Sequence, residues 1–112
     1  MTTVTQSQLV APQALGNADA SIYQVPVNTT AKVGRAVFTN TSGSAVTLNA
    51  GITSGGALTS TTTLISGYVL APGQAYVSPE LAGAVLFAGQ QLHAYAGTSA
   101  VVTVIVSGLT IQ

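Results

Sequence analysis

Residues 100–111 read AVVTVIVSGLTI, a stretch of β-branched side chains that predicts the longest strand of the chain. Valine and isoleucine occupy both of its faces, whereas a strand with one face in water alternates apolar and polar residues. Such a strand lies in the middle of a covered sheet or turns one face toward another subunit. A domain this small has difficulty covering both faces of a sheet from within. We therefore expect the protein to oligomerise.

The rest of the chain is also rich in Thr, Ser, Ala and Val and is divided by Gly- and Ser-rich turns. It has no segment in which apolar residues at helical spacing occur together with helix-forming side chains. Strands are predicted at 4–10, 21–25, 31–39, 45–50, 61–70, 75–78, 91–96 and 100–111. About eight short antiparallel strands at this spacing predict an all-β, single-domain β-sandwich or jelly-roll-like fold.

Several local features follow from turn residues and periodicity. Residues 31–39 and 45–50, separated by Asn-Thr-Ser-Gly-Ser, are predicted to form a hairpin. Gly67 predicts a bulge within its strand. The stretch at 51–60, which includes Gly51, Gly55 and Gly56, is interpreted as a surface loop. The small apolar residues at 80–89 fit an extended segment or a helical turn equally well.

The N-terminal region is polar and divides the chain into two predicted parts. Residues 1–18 form an N-terminal arm, and residues 19–112 form the sandwich domain. Within the arm, residues 4–10 are either an edge strand or a segment that lies on a neighbouring subunit, and residues 12–17 are a loop. The first residues contain no Lys or Arg and do not resemble a secretory signal.

The charge of the chain excludes several classes of protein. Charged residues, which are Asp19, Lys32, Arg35 and Glu80, make up only 4% of the chain, and the net charge is zero. Two cations cannot form the basic patch that binding to nucleic acid requires. A chain that is 47% hydrophobic is too apolar for a disordered protein, yet no stretch reaches the roughly 18 apolar residues of a membrane helix. We expect no nucleic-acid and no membrane partner.

The residues that could support catalysis are few and scattered. Asp19 and Glu80 are predicted in separate loops, so they do not form the carboxylate pair of a glycosidase. His93 lacks a neighbouring His or carboxylate in the sequence and is interpreted as a hydrogen-bonded strand residue. No cysteine is present to act as a nucleophile or metal ligand. We expect a protein that is not an enzyme, with no catalytic residues, no cofactor and no bound metal.

The remaining candidates concern contacts rather than chemistry. Lys32 and Arg35 would point to opposite faces of a regular strand, and either could pair with Glu80 or Asp19 within the subunit or across an interface. The four tyrosines could stack against sugars, or they could pack in the core or at an interface; these are Tyr23, Tyr68, Tyr76 and Tyr95.

Three stretches of the sequence share a pattern of turn residues and strand periodicity. The first runs from YQVPVNTTA at 23–31 into VFTNTSGSAVTL at 37–48. The others are LAPGQ at 70–74 and VLFAGQQLHA at 85–94. Together they resemble the small β-sandwich structural proteins of tailed bacteriophages, and the resemblance spans roughly residues 22–108. It departs from the family pattern at Gln90 and Gln91, where an Asp is frequent.

The resemblance implies a virion component without enzymatic activity, made in the bacterial host cytoplasm. Head decoration (cement) proteins of this kind are small β-rich chains that commonly form homotrimers on the capsid surface and bridge neighbouring major capsid protein subunits. The arm at 1–18 would then contact the shell or the next subunit. Two alternatives remain open: a tail or fibre subunit that binds a carbohydrate receptor, and an adhesion subunit that assembles by strand donation.

Overall fold

The computed structural model describes residues 3–112, which form nine antiparallel strands in two sheets and no helix. The strands are β1 (Val4–Ala14), β2 (Ser21–Gln24), β3 (Thr30–Asn40), β4 (Val46–Thr53), β5 (Thr63–Leu70), β6 (Ala75–Val77), β7 (Val85–Leu86), β8 (Gln91–Ala96) and β9 (Val102–Ile111). Sheet A has the order β1-β9-β3-β6, with β7 also paired to β3, and sheet B has the order β2-β8-β4-β5. The predicted all-β sandwich is confirmed.

The core lies between the two sheets and is filled by alternate residues of their strands. Sheet A contributes Val102, Val104 and Val106 of β9, and sheet B contributes Leu92, Ala94 and Ala96 of β8. This is the alternation expected when one face of each strand packs inward. Other fully buried large side chains include Phe38, Leu15, Leu48, Leu70, Leu81 and Leu86.

Strand β9 occupies the central position that its composition predicts, between β1 and β3 in sheet A. It is not the longest strand, because it has 10 residues and both β1 and β3 have 11. Its outward side chains, such as Thr103, Ile105 and Leu109, are only half buried. The apolar outer face of β9 is thus partly open to solvent.

The predicted hairpin of residues 31–39 and 45–50 is wrong, because β3 belongs to sheet A and β4 to sheet B. The connection at 41–45 crosses between the sheets and is organised by the buried side chain of Asn40. Its Nδ2 donates to the carbonyl oxygens of Leu70 (3.1 Å) and Ser44 (2.7 Å), and its Oδ1 accepts from the backbone N–H of Ser42. A turn-rich stretch looks the same in sequence whether it joins paired or facing strands.

The N-terminal region contains more strand than predicted. Strand β1 runs to Ala14, so the loop prediction for 12–17 is wrong over 12–14. Pro12 is tolerated because β1 is an edge strand and its pairing with β9 is irregular between Val10 and Gln13. The predicted boundary between arm and sandwich at residue 18 stays a prediction, although β1 pairs with β9 of the same chain from Val4 onward.

The loop after β4 lies at 54–62 rather than at the predicted 51–60, because β4 ends later and β5 begins only at Thr63 rather than at the predicted residue 61. Strand β4 extends to Thr53, so 51–53 are strand rather than loop. Gly51 is buried, and a Cβ there would overlap the carbonyl oxygen of Thr62. Residues 54–62 therefore lie directly on the outer face of sheet B.

The predicted bulge at Gly67 and the ambiguous segment at 80–89 both have a defined conformation in the structure. Gly67 has a φ of 63° and lies where the pairing of β4 with β5 slips, so the predicted bulge is confirmed. The ambiguous segment 80–89 contains a turn over 79–83, followed by the short strand β7.

A second bulge, in β3, changes the predicted orientation of the two cations. The pairing of β3 with β9 slips between Val33 and Arg35, so that Lys32 faces Leu109 and Arg35 faces Ser107. Leu109 and Ser107 are two residues apart and lie on the same face of β9. Lys32 and Arg35 are consequently both exposed on the outer face of sheet A, and the regular strand assumed from sequence is wrong.

Candidate functional site

A polar cluster lies on the outer face of sheet B beneath the loop at 54–62. The Nδ1 atom of His93 lies 2.8 Å from Oδ1 of Asp19, and its Nε2 lies 2.8 Å from Oε1 of Gln91. Oδ2 of Asp19 accepts a hydrogen bond of 2.8 Å from the backbone N–H of Leu58. The side chain of His93 is 8% exposed and that of Asp19 is 23% exposed. Asp19 therefore links the covering loop to strand β8.

The electrostatics of the cluster favour an ionised Asp19. Burial raises the pKa of this carboxyl, but the hydrogen bonds from Leu58 and His93, together with the charge of His93, outweigh burial. The net effect is that the pKa of Asp19 lies below its ordinary value of 3.8. Both carboxylate oxygens and both ring nitrogens have partners, so the cluster is suited to holding the loop in place.

The interpretation of His93 as a hydrogen-bonded strand residue agrees with this geometry. Its partnership with Asp19 was missed, because the two residues are 74 positions apart. The pairing of β2 with β8 brings them together: Asp19 lies two residues before Ser21, which is the register partner of His93. The only signal in the sequence was that the chain has one His and two carboxylates.

A second polar cluster lies at the edge of the sandwich around Glu80. The hydroxyl of Tyr76 donates to Oε1 of Glu80 at 2.6 Å, and the hydroxyl of the buried Ser78 donates to the same atom at 3.2 Å. Ser78 Oγ also accepts from the backbone N–H of Leu81. These bonds fix the turn at 79–83, whose Leu81 fills the core.

The two partners in this cluster shift each other's pKa in opposite directions. Burial, then the hydrogen bond to Glu80 and the charge of Glu80, raise the pKa of Tyr76 to about 12. The hydrogen bond from Tyr76 in turn lowers the pKa of Glu80 and outweighs the effect of burial. Both effects favour an ionised Glu80 that is hydrogen-bonded to Tyr76 and Ser78.

The four tyrosines do not gather into one platform. Tyr68 of β5 stacks on Tyr76 of β6, with ring centroids 4.1 Å apart and planes inclined by 22°. Because β5 and β6 are edge strands of different sheets, this stack ties the two sheets together at one side. Tyr23 packs half buried against the core, and its burial raises its pKa. Tyr95 is half buried on β8.

An apolar row crosses the outer face of sheet A. Val77, Val37 and Ile105 are register partners on β6, β3 and β9, and they lie side by side. Val77 is 47% exposed, and the other two are half buried. Nothing in residues 3–112 covers this row completely, so this part of the outer face of sheet A is open to solvent; contact with another subunit, one of the two alternatives predicted for β9, stays a prediction.

The part of the chain that the structure describes lacks both a group of metal ligands and a membrane-spanning helix. Residues 3–112 contain no group of three or more His, Asp or Glu side chains placed to hold a metal ion. They also contain no helix with the length and apolar character needed to cross a membrane.

Comparison with known proteins gives one structural similarity. No protein-family model matches the chain, and no curated protein matches its sequence. Among solved structures, the fold is similar to part of the infectious bursal disease virus VP2 subviral particle, with a TM-score of 0.48 and 14% sequence identity. The similarity covers 98% of this chain and 32% of the VP2 chain. The chain thus spans about a third of the length of that viral protein.

Proposed function

We propose that this chain is a non-enzymatic structural protein of a bacteriophage particle, and specifically a decoration (cement) protein of the capsid surface. In this role it forms a homotrimer that binds across neighbouring major capsid protein subunits and stabilises the head. It is made in the cytoplasm of the bacterial host. The observation that carries the proposal is the apolar row Val77–Val37–Ile105 on a chain that is almost free of charge.

The scarcity of charge supports a permanent assembly. A free monomer normally carries charged side chains over roughly a quarter to a third of its surface. This chain has only two cations and two carboxylates, and both carboxylates are hydrogen-bonded within the fold. Its exposed apolar side chains include Val69, Val77 and Phe87, at 58%, 47% and 63%. Such a surface is favourable when much of it is covered by other subunits.

The use of the ionisable side chains supports a role without catalysis. Asp19, His93 and Glu80 are the carboxylate and imidazole side chains of the sequence, the groups that most often serve as general acids or bases. Each of them instead holds a backbone segment or a neighbouring side chain in place. Within residues 3–112, these hydrogen bonds hold the loop at 54–62 and the turn at 79–83 against the sandwich, which supports a structural use of the three side chains.

Quantitative mass spectrometry of purified virions is the first test of this function. A decoration protein is expected at hundreds of copies per particle, whereas a handful would indicate a fibre, vertex or connector. Because a tail tube is also present in many copies, electron microscopy of labelled particles must place the chain on the head. Absence of the chain from virions would contradict the proposal.

The self-association surface is tested with two matched variants. Val77→Asp places a charge in the apolar row of sheet A, and Val69→Asp places the same charge at an exposed valine on β5 of sheet B. Native mass spectrometry is expected to show that Val77→Asp dissociates the oligomer and that Val69→Asp preserves it. The opposite result would assign the interface to sheet B.

The stacked pair Tyr68–Tyr76 favours a second candidate, a tail or fibre subunit that binds carbohydrate. Tyr68 is 37% exposed and its ring is held in a fixed orientation by Tyr76, as a sugar-stacking residue requires. Glycan-array binding that is lost in Tyr68→Ala would support this candidate over the decoration protein. Tyr95→Ala is the matched control, since Tyr95 lies half buried on another strand.

A further inference from the structure

We propose that the outer face of sheet A carries a docking site for a glutamate- or aspartate-bearing segment of a partner protein, centred on the bulge of β3. A shallow depression of about 560 Å³ opens at this bulge. It is lined by Gln6, Ser7, Gln8, Gly34, Ser107, Gly108 and Leu109. If the proposed function holds, the segment belongs to the capsid shell protein.

Two glycines shape the depression. Gly34 is the extra residue of the bulge, and Gly108 lies opposite it on β9. A Cβ on Gly108 would overlap the carbonyl oxygen of Lys32 and come within 3.0 Å of the backbone nitrogen of Gly34. Any other residue at 108 would force the strands apart, so this close approach of two backbones needs glycine.

The bulge also brings both cations of the chain to this depression. Lys32 is the register partner of Leu109 and Arg35 is the register partner of Ser107, and both partners line the depression. Neither cation has a carboxylate within salt-bridge distance among residues 3–112, where the ion pair is His93–Asp19. The positive charge beside the depression is therefore available to an external anion.

The chemistry of the surroundings favours a protein carboxylate over a polyanion. Two cations are too few for nucleic acid or a sulfated polysaccharide, whose binding relies on neutralising many charges. The guanidinium of Arg35 can hold one carboxylate through two parallel hydrogen bonds. Gln6 and Gln8 supply amide donors, and Leu109 with the exposed Val85 beside Lys32 supplies apolar contact. Mixed apolar and acidic side chains of a protein segment match this combination.

The site is tested by NMR on the uniformly ¹⁵N-labelled full chain. The probe is a capped five-residue peptide with two glutamates flanking a leucine, and the matched control peptide has glutamines in their place. We expect saturable shifts of the amides of Gly34, Ser107 and Gly108 with the glutamate peptide only. These shifts should weaken about tenfold in apparent affinity in the Lys32→Gln/Arg35→Gln double variant.

A charge-conserving variant separates charge from folding. Lys32→Arg/Arg35→Lys keeps both positive charges at the same exposed positions but removes the bidentate hydrogen bonding at position 35, so it is expected to bind the glutamate peptide more tightly than the Gln double variant does. All variants should unfold at the same temperature as the wild type, because the substituted side chains are exposed. Equal shifts with the glutamine peptide, or shifts with a heparin fragment and none with the glutamate peptide, would overturn the proposal.

Binding to purified capsids lacking the chain then distinguishes this inference from the proposed function. Wild-type binding that is reduced about tenfold in the Gln double variant supports both. Wild-type binding that is unchanged in the variant overturns the docking site and leaves the decoration role intact. Peptide shifts without any capsid binding support the carboxylate site and contradict the decoration role.

Discussion

At the scale of single residues, the two carboxylates of this protein, Asp19 and Glu80, hold neighbouring segments of the fold together. Asp19 joins the loop at 54–62 to strand β8, and Glu80 joins the turn at 79–83 to Tyr76. Asp19 bonds to Leu58 and His93, which are distant in the sequence, whereas Glu80 accepts from the nearby Tyr76 and Ser78. The loop at 54–62 and the turn at 79–83 are thereby held in place by two carboxylates whose hydrogen-bonding capacity is used within the fold.

The tether through Asp19 gives the fold a dependence on acid. Because its pKa is lowered in the folded state, Asp19 contributes stability that is present above its unfolded pKa and lost as pH falls through its folded pKa. We expect the temperature midpoint of unfolding to decrease at pH values below about 4. In Asp19→Asn this decrease should be smaller, and the free energy of unfolding at neutral pH should be lower by about 1 kcal/mol. Circular dichroism melts between about pH 2 and 7 measure both effects.

Glu80→Gln is the control variant for the acid dependence that is assigned to Asp19. The pKa of Glu80 is also lowered, so its replacement should remove a separate part of the acid sensitivity. Hydrogen exchange of the Leu58 amide distinguishes the two, since only Asp19→Asn should accelerate it. If the Leu58 amide exchanges equally in both variants, the assignment of the loop tether to Asp19 is wrong.

The tether through Glu80 gives an opposite dependence at alkaline pH. The pKa of Tyr76 is raised to about 12 from its ordinary 10.0, so its contribution to stability is present below pH 10.0 and lost as pH rises toward 12. We expect one phenol to ionise near pH 12 in an absorbance titration at about 295 nm. Tyr76→Phe should remove that step, and Glu80→Gln should move it to lower pH. A step that survives in Tyr76→Phe belongs to another tyrosine.

Sequence reasoning could find these residues but not their partners. The rarity of charge marked Asp19, Glu80 and His93 as the candidates for chemistry. Asp19 meets His93 only because β2 pairs with β8, and Tyr76 meets Glu80 across a turn. The Asp19–His93 partnership depends on which strands pair, and periodicity within a strand carries no information on that choice; the Tyr76–Glu80 contact is local and depends on the conformation of the turn.

At the scale of strands, composition and alternation predicted most of the elements, and the lone Gly67 predicted a bulge in β5, but the bulge in β3 was missed. Strand β8 has the predicted bounds, and its inward and outward residues are those that alternation indicates. The bulge at Gly34 reverses the alternation of β3, so that Ala36 and Phe38 point inward with Ala31 and Val33. One inserted residue exchanges the faces of the strand beyond it. That exchange places Lys32 and Arg35 on one surface.

Strand β1 is an essential part of sheet A, and its removal should prevent folding. Deletion of residues 1–18 removes the buried side chains Leu9, Val10 and Leu15 and opens the edge of β9. At about 1.5–3 kcal/mol for each large apolar side chain, the loss is comparable with the total stability of a small domain. We expect the truncated chain to aggregate through the open edge of β9.

Point substitutions in β1 test the same prediction without removing the strand. Val10→Ala should lower the free energy of unfolding by about 1–2 kcal/mol, whereas Gln13→Ala, at an exposed position of β1, should change it by less than about 0.5 kcal/mol. Urea unfolding measures both. A truncated chain that remains folded, with dispersed amide signals in its NMR spectrum, would show that residues 1–18 act as a separable arm.

At the scale of the whole molecule, the outer face of sheet A carries two surfaces of different chemistry. The apolar row Val77–Val37–Ile105 crosses β6, β3 and β9, and the depression with Lys32 and Arg35 lies further along the same strands. The row suits contact with further copies of the chain, and the depression suits an acidic partner. In the proposed decoration role, the row would contact other copies of the chain and the depression would attach to the shell.

These two surfaces should respond to salt in opposite ways. Screening shortens the Debye length from about 14 Å at 50 mM to about 4 Å at 500 mM NaCl, which weakens exposed charge pairs. Burial of apolar surface is not weakened by salt and is strengthened by sulfate. We therefore expect self-association, followed by sedimentation velocity, to persist at 500 mM NaCl and in sulfate, while binding of the glutamate peptide falls severalfold. Dissociation of the oligomer by NaCl alone would contradict this prediction. It would mean that Lys32 and Arg35, rather than the apolar row, hold the copies together. In that case Val77→Asp would leave the oligomer intact.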